Sequence, residues 1–447
     1  MSSAPATTPT STTGGFTEDA FHRFMKGRDE PTWLVERRRE AFARFQAFPW
    51  PSARDEEWRR TDIRALKLDA FAPPAAEAPD ASSASAFDDL WGSLSSHYAT
   101  GMLHVDGPAV REPDASKLGG AVFVDLARAA KDHPEILDRY LLTQAVTAND
   151  DIFAALHAAF WNGGSLLHVP RGVKLEAPLF SLIGLTRPGG VDLNHTLVVL
   201  EDGAEATLVR ETAGRRGEGS GPAFHAGALE VFVGQGARLT LVNIQNWDDA
   251  TWHFSRERAI VGRDASIQWT VGGLGSRLAK VNQEVVLAGP GANAQVNGVM
   301  FTTGRQHLAY FTRQDHASHH TTSDLLYKGG LKGRSRIVWK GMIRVEKDAQ
   351  RTDAYQKNDN LVLSESARAD SIPGLEIEAN DVRCTHGATA GRVDEDMIFY
   401  ATARGIPREV AVRLIVEGFF ADVYDRITLE PVRETLRQAV ALRVISH

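Results

Sequence analysis

The chain has one cysteine in 447 residues, Cys384. A single thiol excludes an intrachain disulfide and any self-contained metal site of three or four thiolates, so metal or sulfur chemistry here needs ligands from elsewhere. Excess positive charge is also lacking. With 50 basic against 57 acidic residues the formal charge is −7, which offers no general attraction to nucleic acid or to an anionic membrane surface. No run approaches the roughly 18 apolar residues of a membrane span. Residues 1–15 are largely Ser, Thr, Ala and Pro, with neither a basic start nor an apolar stretch. They are expected to form a disordered tail instead of a secretory signal, and the protein is expected in the cytoplasm. A nucleotide loop is missing as well: Gly214 to Gly221 is glycine-rich but has no Gly-Lys-Ser/Thr ending to meet phosphates and Mg²⁺, and reads as a surface loop. No pair of Asp or Glu stands out by spacing as a general acid and base.

What is present changes character along the chain. Residues 16–164 read as a helical domain. Leu34, Ala41, Phe42, Phe45 and Phe48 recur on one helical face that Pro49 and Pro51 end. A second helical stretch is predicted from Pro134 to Phe160, stopping at Gly163-Gly164. Between them a segment near 73–86, mostly Ala, Pro and Ser, has too little apolar surface to pack and reads as a linker.

Over residues 165–391 the pattern becomes short strands with period-two alternation, as in Leu229, Val231 and Val233. A turn-then-strand phrase recurs: Gly203-Ala204, Gly236-Ala237, Asp264-Ala265 and Gly291-Ala292, with starts 33, 28 and 27 residues apart. Stacked coils of a parallel β-helix require such a repeat, and a β-sandwich with regular hairpins would resemble it. Residues 392–447 return to helix, with Asp394 as a cap and Pro407 at a helix start. Ala411, Leu414, Ile415, Gly418 and Phe419 form a stripe that either packs on this chain or docks a partner.

Cys384 and His386 lie two apart on a predicted strand, hence on one face and about 6–7 Å apart along the backbone. Sulfur and imidazole suit iron, zinc or a nascent cluster, but two ligands do not close a site. Taken alone, the cysteine reads equally as a small buried apolar residue and the histidine as a hydrogen-bonded one. His307, His316, His319 and His320 also cluster in sequence; on a strand His316 and His320 would share a face, and solvated histidines on a coil edge are the simpler account.

Several stretches occur together and in order: Gly333-Arg334-Ser335, Trp339-Lys340-Gly341, Gln356 to Ser364, Ile372-Pro373-Gly374-Leu375-Glu376-Ile377, Asp381 to Thr389, Phe399-Tyr400 and Arg404-Gly405-Ile406. With Glu57-Trp58-Arg59-Arg60-Thr61 upstream, the chain from about residue 30 to 425 resembles the SufB/SufD family of iron-sulfur cluster assembly proteins. Gly387 after His386, the Glu57-Trp58-Arg59 segment and the single cysteine resemble its SufD-type branch more than its SufB-type branch. The resemblance implies a right-handed parallel β-helix between N-terminal and C-terminal helical domains, and a non-catalytic scaffold subunit. It implies partners too, a SufB-type subunit and a SufC-type ATPase that carries the missing phosphate loop. The ATPase would dock on the C-terminal helices, at Arg404, Gly405, Ile406, Ala411, Leu414, Ile415 and Phe419. The resemblance further implies a transient iron-sulfur cluster at the subunit interface, with His386, and with Cys384 beside it, completed by partner ligands. The remaining readings are a SufB-like or homodimeric scaffold and a β-helix enzyme acting on polysaccharide.

Overall fold

The structure, a computed structural model, describes residues 15–74, 81–217 and 219–445. The predicted tail, apart from Gly15, and residues 75–80 of the predicted linker lie outside the described residues.

From residue 205 onward the strands alternate between two sheets. Glu205–Gly214, Arg238–Asn246, Ser266–Gly273, Asn293–Thr302, Thr322–Leu331, Asp353–Val362 and Arg383–Arg392 belong to the first. Ala223–Val233, Thr251–Val261, Leu278–Leu287, His307–His316, Arg336–Val345 and Arg368–Ile377 belong to the second. Successive strands within each sheet pair in parallel, so the chain winds as a parallel β-solenoid of about eight turns. This decides between the two architectures that the period allowed.

The recurring phrase forms one corner of each coil. Gly203, Gly236, Asp264 and Gly291 all have positive φ, from 53° to 73°, two residues before strand starts that pair in register. A left-handed corner favours glycine because a Cβ there crowds the following carbonyl. Ala204, Ala237, Ala265 and Ala292 are buried behind these corners. The same corner continues at His320 and Arg351, φ 58° and 60°, where the alanine becomes Thr321 and Thr352 with their Oγ1 atoms 3.2 Å apart. The repeat therefore runs two coils further than its Gly-Ala spelling.

Register builds columns inside the solenoid. One passes through Leu208, Leu241, Trp269, Val296 and Leu325, all buried, and then turns polar at Gln356 and His386. In-register stacking makes each buried residue the packing surface of the next.

Helices cover both outer faces. On the second sheet lies Ile152–Phe160, whose Phe153 stacks on Phe254 at 3.7 Å, and Thr32–Ala47 packs over it through Phe42 and Phe160. The Glu57-Trp58 segment is a strap across this face. Trp58 sits against Phe153 and Phe254, while Glu57 and Glu56 pair with Lys280 at 3.2 Å and Lys340 at 2.9 Å. On the first sheet, Arg408–Asp425 is held by Lys328, which reaches Asp422 and the Phe419 carbonyl, each at 2.7 Å.

Three expectations need correction. The region 16–164 is not purely helical: Thr100–Val105 pairs in parallel with Leu179–Leu185, and Ala109–Arg111 and Val122–Asp125 close the sheets by antiparallel pairing. The sheets thus start well before residue 165, because short alternating segments such as Met102 to Val105 are too brief to register against a helical background. The helix predicted from Pro134 to Phe160 is two, Pro134–Tyr140 and Ile152–Phe160, separated by a turn with Leu142 at φ 56°. Gly163 and Gly164 begin a strand instead of ending that helix, and a Cβ on Gly164 would collide with the His195 carbonyl.

The intervening turn is held by a carboxyl from the solenoid. Glu230 accepts hydrogen bonds from the Leu142 and Val146 amides at 2.6 and 3.0 Å. His195 Nε2 lies 3.0 Å from Glu230 Oε2, and His195 Nδ1 lies 3.0 Å from His157 Nε2. His157 Nδ1 faces the Ala226 carbonyl at 2.7 Å and must carry a proton. That makes His157 Nε2 the acceptor and His195 Nδ1 the donor, leaving the His195 Nε2 lone pair to face Glu230. A neutral Glu230 can donate there. Burial pushes Glu230 up to about 8 and holds His195 down to about 3, so the pair stays neutral.

Folded Glu230 keeps a proton that the unfolded chain releases above pH ~4.5, so the native state binds more protons and loses stability as pH rises toward 8. Asp192 and Glu211, each raised to about 7 by burial, act with the same sign. The buried histidines act with the opposite sign up to pH ~7.5, because they are neutral in the native state while the imidazoles of the unfolded chain still bind protons. Because Glu230→Gln does not titrate at this position, the urea midpoint of the native chain is expected to fall relative to that of Glu230→Gln as pH rises from about 6 to about 8.5.

Candidate site at the open end of the solenoid

Arg368–Ile377 and Arg383–Arg392 are the last strands of their sheets, each paired on one side only. The final coil consequently presents unpaired backbone and inward side chains: Leu375 and Ile377, on the face that is core in earlier coils, are 37% and 40% exposed.

Four of the sequence motifs converge at this end. Gln356 is fully buried and in register with exposed His386, and its Nε2 donates to the Gly374 carbonyl at 3.0 Å. Gly341 pairs with Pro373, and a Cβ on it would strike both the Trp339 ring and Gln356 Oε1. Beside them Asn360 Nδ2 donates to Asn358 Oδ1 at 2.7 Å and to Ser371 Oγ at 3.0 Å, while Ser371 donates to Asn358 Oδ1 at 2.6 Å. Beneath the last strand the interior is therefore a polar floor in place of the aliphatic packing of earlier coils.

Cys384 and His386 share the inward face, as their spacing requires, in register with Ala354 and Gln356. Their surroundings differ. Cys384 is partly buried against Ile343, Val345, Ala349, Ala354 and Ala379. Burial, and then the Asp353 carboxylate, push its thiol up, so it is held protonated near neutral pH. The His386 side chain is exposed and has no hydrogen bond or ion pair among the described residues.

The other histidines do not assemble into a site. His316 is buried and bonded to Thr321 and Ser323 at 2.7 and 2.8 Å, with burial holding it down to about 4. Burial likewise holds His307 down to about 4. His319 and His320 are exposed at a coil corner, 2.7 Å apart. No group of three or more His, Cys, Asp or Glu in metal-holding geometry occurs among the described residues.

On the C-terminal helices the anticipated stripe is rotated from the buried face. Ala411 is buried with Val416, Phe420, Val423 and Tyr424, so it serves this chain's own core. Leu414 is half exposed, Ile415 and Phe419 lie at the border, and Phe419 rests under Lys328 at 4.9 Å. Arg404 stacks on Tyr400 at 3.5 Å, Gly405 turns at φ 82°, and Ile406 is partly exposed. Sequence reasoning missed the most exposed apolar group, Met397, Phe399 and Tyr400 on helix Glu395–Thr402, with Phe399 74% exposed. The signal was the run Met397-Ile398-Phe399-Tyr400, of which a short helix can bury only Ile398.

The chain is thus a two-sheet solenoid with a polar, exposed end, flanked by helices that show apolar side chains outward. Comparisons with known proteins make the class specific. Residues 185–419 match the family model described as SUF system FeS cluster assembly, SufBD core domain, and residues 22–180 match the SufBD protein N-terminal region. An iron-sulfur cluster assembly SufBD family protein of Mycobacterium leprae is 31% identical over 411 residues, 89% of this chain and 92% of that protein. A Mycobacterium tuberculosis protein of the same description is 35% identical over 298 residues, 65% of this chain and 73% of that protein. Iron-sulfur cluster assembly protein SufD of Bacillus subtilis is 27% identical over 429 residues, 94% of this chain and 96% of that protein. The chain belongs to the SufB/SufD family and is a component of iron-sulfur cluster assembly. No helix among the described residues is long and apolar enough to cross a membrane.

Because its thiol is raised, Cys384 is expected to react with iodoacetamide at pH 7 several-fold more slowly than free cysteine, with a rate that rises with pH and levels off at a higher pH than that of free cysteine. Mass spectrometry of the alkylated peptide over time measures this.

Proposed function

We propose that the chain is a SufD-type scaffold subunit. Its solenoid end pairs with a SufB-type subunit, and its C-terminal helices dock a SufC-type ATPase. Iron or a nascent cluster, the cargo of the assembly, is held at the solenoid end by His386 together with ligands from the partner. The observation that carries this reading is the placement of an unpaired, exposed imidazole on the last, one-sided strand of the solenoid. An edge strand offers backbone donors and acceptors to a second sheet, which would bring partner side chains alongside His386. A neutral imidazole lone pair then ligates iron, and one ligand from this chain suffices if the partner completes the shell.

Cys384 fits a supporting role better than a ligand role. A thiol held protonated against an apolar cluster neither attacks sulfur donors nor binds iron readily at neutral pH. Its state also argues against a SufB-like, sulfur-accepting role. The ATPase is expected on the outward side of the C-terminal helices, where Met397, Phe399, Tyr400 and Leu414 are exposed and Arg404 stacks on Tyr400. A homodimer joined through the same open end is the second reading, because an edge strand also accepts a copy of itself.

Native mass spectrometry of the tagged protein, purified without oxygen from its own cells, tests the assembly. A complex with one ATPase type and one SufB-type chain is expected, whereas recovery solely as a self-dimer overturns the mixed pair. In that complex His386→Ala is expected to leave assembly intact and lower bound iron at least several-fold, and unchanged iron overturns the ligand role. Phe399→Glu with Leu414→Glu is expected to remove the ATPase while retaining the SufB-type chain, as read by the same measurement.

A further inference from the structure

Gln356 occupies a position that packing does not explain. Its column is Leu208, Leu241, Trp269, Val296 and Leu325 in the preceding coils, all buried and apolar or aromatic. A leucine would continue it. The glutamine is instead fully buried, with one end of its amide anchored by Nε2 donating to the Gly374 carbonyl at 3.0 Å. The other end, Oε1, is buried and has no hydrogen-bond partner among the described residues. Gly341 leaves it room, since a Cβ there would meet Oε1 and the Trp339 ring. The amide thus has a built seat, and an unmade hydrogen bond in such a place is costly enough to require a reason.

The next residue in the column is His386, exposed and free to turn on its own side-chain torsions. A glutamine oxygen only accepts, and a neutral imidazole has one N–H and one lone pair. If the ring donates its N–H to Oε1, the tautomer is fixed and the remaining nitrogen faces outward as a lone pair. Histidines that bind metals are commonly held in this way by a partner on the second nitrogen. We propose that Gln356 is a positioning residue for His386: it accepts the ring N–H and presents the other nitrogen to the cargo iron. The proposal rests on the reading of His386 as an iron ligand. Its hydrogen bond, however, is a property of the metal-free chain and can be measured there.

The test is the ring ¹⁵N signature of His386 in the full-length, metal-free protein labelled at histidine, assigned by the signal lost in His386→Ala. One dominant tautomer is expected in the native chain. Gln356→Leu, which follows the rest of the column and is not expected to unfold it, should return His386 to the tautomer mixture of free histidine. Gln356→Met, which keeps the length of the side chain without an accepting amide oxygen, should do the same. In the purified complex, Gln356→Leu is expected to lower iron affinity about tenfold. An unchanged ring signature in Gln356→Leu or in Gln356→Met overturns the positioning role. Should His386→Ala leave iron unchanged while the tautomer still responds to Gln356, the ligand reading fails and the hydrogen bond stands.

Discussion

In-register parallel pairing is the constraint on which the remaining structure depends. Each coil can satisfy its backbone only by lying directly over the one before, so residues one turn apart must occupy the same corner, face and column. The left-handed corner at Gly203 recurs as far as Arg351, and the buried alanine behind it is replaced only by threonines that bond to one another. The same rule creates the open end, because a stack of coils has to stop. The last turn is left with unpaired edges and inward side chains that no further coil covers.

Around this stack the helical parts act as clamps on opposite faces. Trp58 and its acidic neighbours strap the second sheet, and Lys328 and Asp422 tie a C-terminal helix to the first. The buried chain His157, His195 and Glu230 joins the N-terminal helices to the solenoid, with Glu230 gathering two amides of a turn that contains a left-handed leucine. These are structural uses of groups that in isolation resemble catalytic or metal-binding ones. Burial sets their protonation, and each finds its partner inside this chain.

His386 and Cys384 show the opposite case. They are two residues apart and on one face, yet one is exposed and unpaired while the other is tucked against Ile343 and Val345. The difference follows from what lies beneath them, an apolar cluster under the thiol and a seated amide under the imidazole. The family assignment connects the chain to cluster assembly, and burial distinguishes the two residues: the imidazole is exposed and the thiol is partly covered.

Much of the architecture was readable from residue order, since turn residues and period-two alternation are local demands of each coil. The phrase at Gly203, Gly236, Asp264 and Gly291 marked true corners, and Leu34, Ala41 and Phe42 marked a true helix face. Reading failed where local preference was weak or shared. Strand Thr100–Val105 is short, the Pro134 to Phe160 pattern hid a break held by a distant carboxyl, and the Ala411 to Phe419 stripe could not reveal which side the solenoid would cover. Sequence by itself determined the repeat, the helical ends, the lack of enough cysteines for a site of three or four thiolates and the common face of Cys384 and His386, because these depend on composition and on neighbours along the chain. Tertiary structure alone decided which coil is last, what lies under each side chain there, and which apolar residues stay outside. Those outcomes depend on contacts between residues far apart in sequence, and only the closed stack of coils brings them together.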